Sequence, residues 1–417
     1  MRSPSSASIG IDNRRHKSLL QATTTVGFLT LLGCLLAVSL TMPASAAVLV
    51  SDTIDGATVA SLGSAKQAAP DVAMKAGLLV DGDGRVLWAR DADSPRAMAS
   101  LTKIMTAVVA MEHSKLTDDV EVTSSATRVG ESTSFLRAGD RFTMNEMLEA
   151  LLVKSGNDAA VAISLHVSGS DAAFVDLMNV KAAELGMTQT QFTNSHGLDA
   201  KDHRTSARDL GILARYAMSK PTFRSIVGMK TVTIGTGKRK ETLPNTNILI
   251  GNYEGISGIK TGYTSDAGYC VVNSASRNDV ELYAVVLATA SETARFRDSR
   301  DLLDWGFAHY RPQSLATSGT VLAEAPVSDY LDVVVPAVVF QDTTIPVLDI
   351  NGPITRAVTV SAVAAPIKAG QRVGVVKFTQ KGRLIATLPL VSAVDVRKPN
   401  PLHRAWIGVV RAWRWVF

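Results

Sequence analysis

A serine and a lysine stand three residues apart in the segment MASLTKIMTA, which begins at Met98. Ser100 and Lys103 are suited to act as a nucleophile and its base, because residues three apart share one face of a helix. A serine hydroxyl attacks a carbonyl only after another group removes its proton. A lysine amine can remove it when burial and a second cation lower its pKa from about 10.4 to roughly 7 or 8. The spacing therefore predicts a serine nucleophile activated by lysine at the start of a helix, where backbone N–H groups favour a developing oxyanion.

Two later segments carry side chains that complement this pair. KSGND supplies Ser155 and Asn157, a hydroxyl and an amide able to relay a proton and to hold a substrate amide. GIKTGYT supplies Lys260 and Thr261, a cation and a hydroxyl fit to grip a carboxylate, and Gly262 leaves room for a substrate backbone. A serine and lysine at this spacing are common by themselves, whereas the three segments in this order are highly specific.

The elements expected to position these segments are those of a mixed α+β domain. GLLVDGDGRVLWARD, from Gly77, has two apolar runs around a turn and predicts a β-hairpin. Helical spacing between Thr143 and Leu165, interrupted at Ser-Gly-Asn, predicts two helices joined by a short loop. A helix is expected after Ser206, followed by two antiparallel strands, GYCVVNSAS and VELYAVVLATA, and a closing helix, SRDLLDWGFAHY. These elements predict an antiparallel sheet with helices, in a domain that ends near Tyr310.

The amino-acid composition changes after about Pro312. Strand-like runs rich in Val, Thr and Pro, such as DVVVPAVVF and RAVTVSAVA, predict a small all-β domain over 312–398 with no catalytic residues. A chain of 417 residues with 46% hydrophobic and 19% charged side chains is long enough for more than one domain.

The terminal segment 399–417 is expected to form an amphipathic helix. The residues on its apolar face are Leu402, Trp406, Val409, Val410, Trp413, Val416 and Phe417. The other face carries three arginines, Arg404, Arg411 and Arg414, and is interrupted by Ile407 and Trp415. The helix is too short to span a bilayer, but it suits the headgroup interface, where the arginines would add on the order of 3 kcal/mol. The alternative is a terminal helix docked on the β domain.

Residues 1–46 are typical of a secretory signal peptide. A basic RRHK precedes an apolar stretch from Val26 to Leu40 and a small-residue cleavage site that ends at Ala46. Two alternatives are a lipidation box, LLGC, whose apolar run continues past the cysteine, and a twin-arginine signal, which lacks the surrounding motif. The only other cysteine, Cys270, is expected to be a small buried hydrophobe without a disulfide partner. No CxxC or HExxH sequence is present, which argues against the common zinc sites.

Three motifs, S-x-x-K, S-x-N and K-T-G, are together the signature of penicillin-recognising serine enzymes. The wider segments ASLTKIMTA, LVKSGNDAAVAI, FTNSHGLD, TSARDL, GIKTGYTSDAGYCVV and LLDWGF resemble the D-alanyl-D-alanine carboxypeptidases among the low-molecular-mass penicillin-binding proteins. The resemblance covers nearly all of the mature chain. It implies a penicillin-binding/β-lactamase-like catalytic domain over 47–311, followed by the all-β domain as a stalk and the amphipathic helix as a membrane anchor.

The resemblance also implies a role for each site residue. Ser100 would be acylated, Lys103 would be its base, and Ser155 would pass a proton to the leaving D-alanine. The residues expected to bind substrate are Asn157, Lys260, Thr261, Gly262, Tyr263 and Arg295. Among these, Asn157 would hold the substrate amide, Lys260 would supply positive potential that also lowers the pKa of Lys103, and Thr261 would contact the terminal carboxylate.

Two further expectations complete the site. The backbone N–H groups of Ser100 and Tyr263 would form the oxyanion hole. Arg295 would help with the carboxylate, although ATASETARFRD departs from the glycine-rich sequence usual there. His196, Asp199 and His203 have ligand-like side chains, but the resemblance makes HGLD a structural turn rather than a zinc site.

The expected reaction is removal of the terminal D-alanine from peptidoglycan stem peptides through a Ser100 acyl-enzyme, with β-lactams as covalent inhibitors. No metal, organic cofactor or nucleic acid is expected to take part, and the protein should act at the periplasmic face of the cytoplasmic membrane. The alternatives are a β-lactamase, an endopeptidase of the same fold and a non-catalytic wall-binding scaffold. Fast penicillin hydrolysis is disfavoured because the one Glu-x-x-x-Asn sequence, Glu241 to Asn245, directly precedes K-T-G rather than lying where class A β-lactamases carry it.

Overall fold

The computed structural model describes residues 48–54 and 69–416, so the predicted signal segment lies outside the described residues. The strands are β1 (Val48–Ile54), β2 (Ala76–Asp81), β3 (Val86–Arg90), β4 (Asp119–Glu121), β5 (Arg141–Thr143), β6 (Thr231–Ile234), β7 (Glu241–Pro244), β8 (Ile256–Thr264), β9 (Gly268–Arg277), β10 (Val280–Thr289), β11 (Tyr310–Ala316), β12 (Val321–Pro326), β13 (Val334–Val339), β14 (Thr343–Leu348), β15 (Ile354–Val360), β16 (Arg372–Gln380) and β17 (Arg383–Ser392). The α-helices are α1 (Thr102–His113), α2 (Met144–Glu149), α3 (Asn157–Ser168), α4 (Asp171–Glu184), α5 (Ala207–Met218), α6 (Pro221–Val227), α7 (Glu292–Ala308) and α8 (Pro401–Val416).

The catalytic domain is built on an antiparallel sheet with the strand order β3-β2-β10-β9-β8. Successive side chains of a strand point to opposite faces, and both faces of this sheet are covered. Leu78 and Val80 pack in the helical cluster that contains α1, whereas Leu79 packs with Phe296 and Leu302 of α7 on the other face. This arrangement confirms the predicted α+β class and the predicted hairpin of β2 and β3.

Helix α1 is buried from Thr102 to Ala110 and has no solvent-facing stripe along that length. A helix that is apolar on every side is stable only inside a core, and here other helices surround it. The two predicted helices around Ser-Gly-Asn are also confirmed, as α2 and α3. The predicted helix after Ser206 is α5, in which the Ser206 hydroxyl accepts a hydrogen bond from the Asp209 N–H at 3.1 Å. The Ser100 and Asn157 segments thus lead into helices whose first two turns are buried.

The second domain is all β, as predicted, with a six-stranded sheet in the order β1-β15-β16-β17-β13-β12 and a small β11-β14 sheet. Its core contains Val335, Val376, Phe378 and Leu390. Strand β1 differs from the expectation that the catalytic domain takes up the chain from residue 47, because β1 pairs with β15 of this second sheet along its whole length. The exposed edge of a sheet can pair with any extended segment that reaches it. The position of β1 in the sequence therefore does not reveal which sheet it joins.

Helix α8 docks on the second domain through one face and exposes the other. Ile407, which interrupted the polar side of the helical wheel, is buried, and Arg411 donates to the carbonyls of Ser328 and Tyr330 at 2.5 and 3.1 Å. The exposed apolar side chains are Leu402, Trp406, Val409, Trp413, Trp415 and Val416. Among the described residues no single helix is long and apolar enough to cross a membrane, although α3 and α4 pass that test together as a pair bent by 86°.

Candidate active site

Ser100 lies on a short 3₁₀ turn, Ala99–Leu101, that leads directly into α1. Two glycines from other segments pack against this turn. A Cβ atom on Gly262 of β8 would lie 3.1 Å from the Ser100 nitrogen, and a Cβ atom on Gly197 would lie 2.2 Å from the Ala99 carbonyl oxygen. Side chains at either position would push these segments away from Ser100, so both glycines are required for the close approach.

The Lys103 amine touches three acceptors. Its Nζ lies 2.9 Å from the Ser100 hydroxyl oxygen, 2.7 Å from Oδ1 of Asn157 and 2.5 Å from the backbone carbonyl oxygen of His196. A neutral amine has two N–H bonds and one lone pair, whereas an ammonium has three N–H bonds. The two carbonyl oxygens can accept only hydrogens, so in the neutral form the lone pair faces the Ser100 hydroxyl.

The environment of Lys103 favours that neutral form. The side chain is fully buried, and this burial lowers its pKa from an ordinary 10.5 to about 7, against the opposing charges of Asp158 and Glu131. Burial is the largest cause, since taking an ammonium out of water disfavours its charged form. The predicted base is therefore available at neutral pH.

Asn157, the first residue of α3, is fixed at both ends of its amide. Its Oδ1 accepts from Lys103, and its Nδ2 donates to the Gly130 carbonyl at 2.8 Å. Asp158, which follows Asn157 in the chain, holds the loop that carries Gly130. Its carboxylate accepts hydrogen bonds from the N–H groups of Ser134 and Leu136. Asn157 thus orients Lys103, and its predicted contact with a substrate amide stays a prediction.

Ser155 ends a π-helical turn, Ala150–Lys154, and adopts the left-handed backbone conformation with φ +71°. Only a few per cent of non-glycine residues have this conformation, and they cluster where the surrounding structure demands a particular side-chain direction. The side chain is 5% exposed, and it lies one residue from the Gly156 that precedes α3. The sequence signal for this geometry is the Ser-Gly-Asn break between two helical patterns.

Lys260 and Thr261 lie on β8, the edge strand that passes Ser100. The Lys260 side chain is 1% exposed, and its pKa is lowered well below the ordinary value by burial and then by the charges of Lys103 and Arg295. Repulsion between Lys103 and Lys260 is reciprocal, so a proton on either amine disfavours a proton on the other. The Thr261 hydroxyl lies 2.7 Å from that of Thr246.

Tyr263 and Arg295 are stacked around the end of β8. The Tyr263 ring is 51% exposed and packs on Tyr269, whose ring in turn lies 5.4 Å from the Arg295 guanidinium. Arg295 is 5% exposed and donates to the Gly262 carbonyl at 3.1 Å and to Glu292. The structure thus brings Arg295 to the K-T-G strand, where its contacts are to the protein, and its predicted carboxylate contact stays a prediction.

The side chains considered for a zinc site or for β-lactamase-type deacylation make other contacts. His203 Nε2 lies 2.7 Å from the Thr102 hydroxyl, and its pKa is lowered to about 4 by burial first and then by the charge of His196. Among the described residues no group of three or more His, Cys, Asp or Glu side chains is arranged to hold a metal ion. Glu241 pairs with Arg239 on the β6-β7 hairpin. Sequence analysis missed the carbonyls of His196 and Gly130, because a backbone oxygen has no residue signature.

Comparisons with known proteins agree with this geometry. Residues 63–291 match the family described as D-alanyl-D-alanine carboxypeptidase, and residues 310–398 match the C-terminal domain of penicillin-binding protein 5. The carboxypeptidase DacC of Escherichia coli is 33% identical over 355 residues, which cover 81% of this chain and 88% of the relative. DacF of Bacillus subtilis is 31% identical over 334 residues, which cover 78% and 86%.

Solved structures extend the same similarity to three dimensions. Penicillin-binding protein 5 of Haemophilus influenzae is 30% identical, with a TM-score of 0.59 that covers 80% of this chain and all of the other. The Streptomyces K15 DD-transpeptidase is 31% identical, with a TM-score of 0.56 over 58% of this chain and 99% of the other. These matches confirm the fold and the resemblance predicted from the sequence. The chain belongs to the D-alanyl-D-alanine carboxypeptidase family of low-molecular-mass penicillin-binding proteins, and it is a serine peptidase.

Proposed function

We propose that this enzyme removes the terminal D-alanine from peptidoglycan stem peptides through an acyl-enzyme on Ser100. The observation that carries the proposal is the set of contacts around Lys103, where two carbonyl oxygens and one hydroxyl meet a buried amine. This arrangement leaves one direction for the lone pair, toward the Ser100 hydroxyl. The comparisons support the reaction class, and the geometry supports the assignment of the nucleophile and base.

The first step is attack of the Ser100 oxygen on the penultimate D-alanine carbonyl. Lys103 takes the hydroxyl proton as the new C–O bond forms, and it becomes an ammonium with three acceptors already in place. The backbone N–H groups of Ser100 and Tyr263 donate to the oxygen of the tetrahedral intermediate. The closeness of Gly262 to the Ser100 nitrogen supports this assignment, because it sets the start of α1 against the strand that carries Tyr263.

In the second step the C–N bond breaks and D-alanine leaves with a proton that Ser155 relays from Lys103. Lys260 and Thr261 attract the terminal carboxylate of the substrate. Water then hydrolyses the acyl-enzyme, with Lys103 again taking a proton. A β-lactam acylates the same serine, but its leaving amine remains attached to the acyl group, so the adduct persists and acts as an inhibitor.

Intact mass spectrometry after incubation with benzylpenicillin tests the nucleophile. We expect one covalent adduct per chain on the native enzyme and none on Ser100→Ala. Ser195→Ala is the matched control, since this buried serine also lies near the site but its hydroxyl is bound to Asp171. Equal labelling of Ser100→Ala and the native enzyme would refute the assignment of Ser100.

We also propose that the enzyme is exported and attaches to the membrane surface through α8. The support is the exposure of the apolar side chains Trp406 and Val409, while Ile407 is buried and Arg411 donates to carbonyls of the second domain. Docking engages Arg411 and brings Arg404 to 4.0 Å from Asp329. Fewer than three arginines are therefore available to anionic lipid, each of which would contribute about 1 kcal/mol. Most of the membrane affinity is expected from burial of the apolar side chains.

Sedimentation with phosphatidylglycerol vesicles tests the attachment. The native chain should sediment with the vesicles, and Val409→Glu should remain in solution because it places a charge among the exposed apolar side chains. Val180→Glu, a change at another exposed valine in the catalytic domain, should behave as the native chain does. Equal sedimentation of the native chain and Val409→Glu would contradict the role of α8.

A further inference from the structure

Two segments flank the backbone of Ser100, and one exposed carboxylate joins them. The first is the turn from Asn194 to Asp199, and the second is the end of β8 with the residues that follow it. The turn carries the His196 carbonyl, and the strand carries Gly262 and Tyr263. Asp199 belongs to the first segment, and its partners belong to the second.

The turn is shaped to present one carbonyl to the base. The Asn194 Oδ1 accepts from the N–H groups of His196 and Gly197 at 3.3 and 2.6 Å. Gly197 has φ +94° and packs against the Ala99 carbonyl. This geometry leaves the His196 carbonyl oxygen 2.5 Å from the Lys103 amine. A shift of the turn would therefore remove one of the two acceptors that direct the Lys103 lone pair.

Both oxygens of Asp199 are bound to the far segment. Oδ1 accepts from the Thr264 hydroxyl at 2.6 Å, and Oδ2 accepts from the Asp266 N–H at 3.2 Å. Thr264 is 6% exposed, and its oxygen also accepts from the Ala267 N–H at 3.2 Å. The two bonds therefore tie the His196 turn to the end of the K-T-G strand. Arg295 separately holds the Gly262 carbonyl of that strand.

We propose that Asp199 is a positioning residue for acylation, which keeps the His196 carbonyl on Lys103 and the end of β8 on Ser100 at the same time. The proposal rests on the proposed function of Ser100 and Lys103. Asp199 touches neither the reacting atoms nor Lys103, so it acts through the distance between the two segments. Small displacements of this kind lower a chemical rate more than they lower binding.

Stopped-flow acylation by a fluorescent penicillin tests this, with the saturating rate constant and the half-saturating concentration measured separately. Asp199→Ala should lower the saturating rate constant about 10- to 100-fold and change the half-saturating concentration little. Asp199→Asn keeps one acceptor oxygen, so it should lose less and also serves as the test variant if Asp199→Ala does not fold. Asp266→Ala is the matched control, because it removes a neighbouring carboxylate but keeps the N–H that Asp199 binds.

A second pair of variants addresses the same bond from the other side. Thr264→Val removes one of the two bonds to Asp199 and should also lower the saturating rate constant, whereas Thr264→Ser keeps the hydroxyl and should retain the native rate. The double variant with both Asp199→Ala and Thr264→Val should be no slower than the slower single variant. A folded Asp199→Ala with the native saturating rate, or losses that multiply in the double variant, would overturn the proposal. Failure of the proposed function gives a different result, since the native enzyme itself would then form no Ser100 adduct.

Discussion

The buried amine of Lys103 should make the stability of the catalytic domain depend on pH in a direction opposite to that of most lysines. Its pKa falls from an ordinary 10.5 in the unfolded chain to about 7 in the folded chain. Between these values the unfolded chain binds the extra proton, so the free energy of unfolding rises with pH throughout this window. One pH unit corresponds to about 1.4 kcal/mol, which amounts to ~5 kcal/mol across the window.

Lys103→Met isolates this dependence, because methionine fills similar space and does not titrate. The variant also leaves two carbonyl oxygens without a donor, but that cost does not change with pH. The free energy of unfolding of the native enzyme, relative to the variant, should therefore rise by about 1.4 kcal/mol per pH unit from pH 7.5 to 10. Urea unfolding followed by circular dichroism measures it, and Lys115→Met, which removes an exposed lysine instead, is the matched control.

A constant difference between the native enzyme and Lys103→Met over this range would refute the reasoning. It would mean that Lys103 binds a proton equally in the folded and unfolded chains. The amine would then be an ammonium at neutral pH, without a lone pair for Ser100.

Two further predictions follow from packing and charge. Gly262→Ala should lower the free energy of unfolding by about 1–3 kcal/mol and slow acylation, because the added Cβ would press on the Ser100 turn. Gly228→Ala is the control, since a Cβ there meets only ordinary contacts, and it should change neither quantity. Urea unfolding and acylation rates measure both effects. Burial raises the pKa of Glu112, but hydrogen bonds from Lys220, Tyr216 and Lys181 outweigh it and bring the pKa to about 2. Glu112→Gln should therefore destabilise the protein by up to ~3 kcal/mol at neutral pH, and this difference should be lost as the pH falls from 4.5 toward 2. Thermal unfolding of both proteins as a function of pH measures the difference. An equal difference at pH 2.5 and at pH 7 would contradict the prediction.

Much of the site follows from the sequence because it depends on local spacing. Ser100 and Lys103 meet because residues three apart share a helix face, and the Ser-Gly-Asn break gives Ser155 its turn. The rest depends on contacts between distant segments. The carbonyl of His196 reaches Lys103 across 93 residues of chain, and only the folded backbone determines which carbonyl arrives there.

The same distinction applies to the fold. Alternating and helical patterns predicted the hairpin of β2 and β3 and the helix α5, because each buries one face of a local element. Strand β1 joins a sheet whose other strands lie about 300 residues away, and pairing at an edge has no local pattern. Ile407 interrupts the polar side of the helical wheel, but it is buried in the folded chain, which the local pattern alone does not reveal.

The pH dependence of Ser100 acylation tests the central claim most directly. The second-order rate constant for a fluorescent penicillin should rise about tenfold per pH unit below pH 7 and level off above it, as Lys103 loses its proton. His196→Gln should keep this profile, because burial first, and then the charge of Lys103, lowers the pKa of the His196 ring to about 4. A native rate constant that is the same from pH 5 to 9 would contradict an account in which neutral Lys103 takes the serine proton.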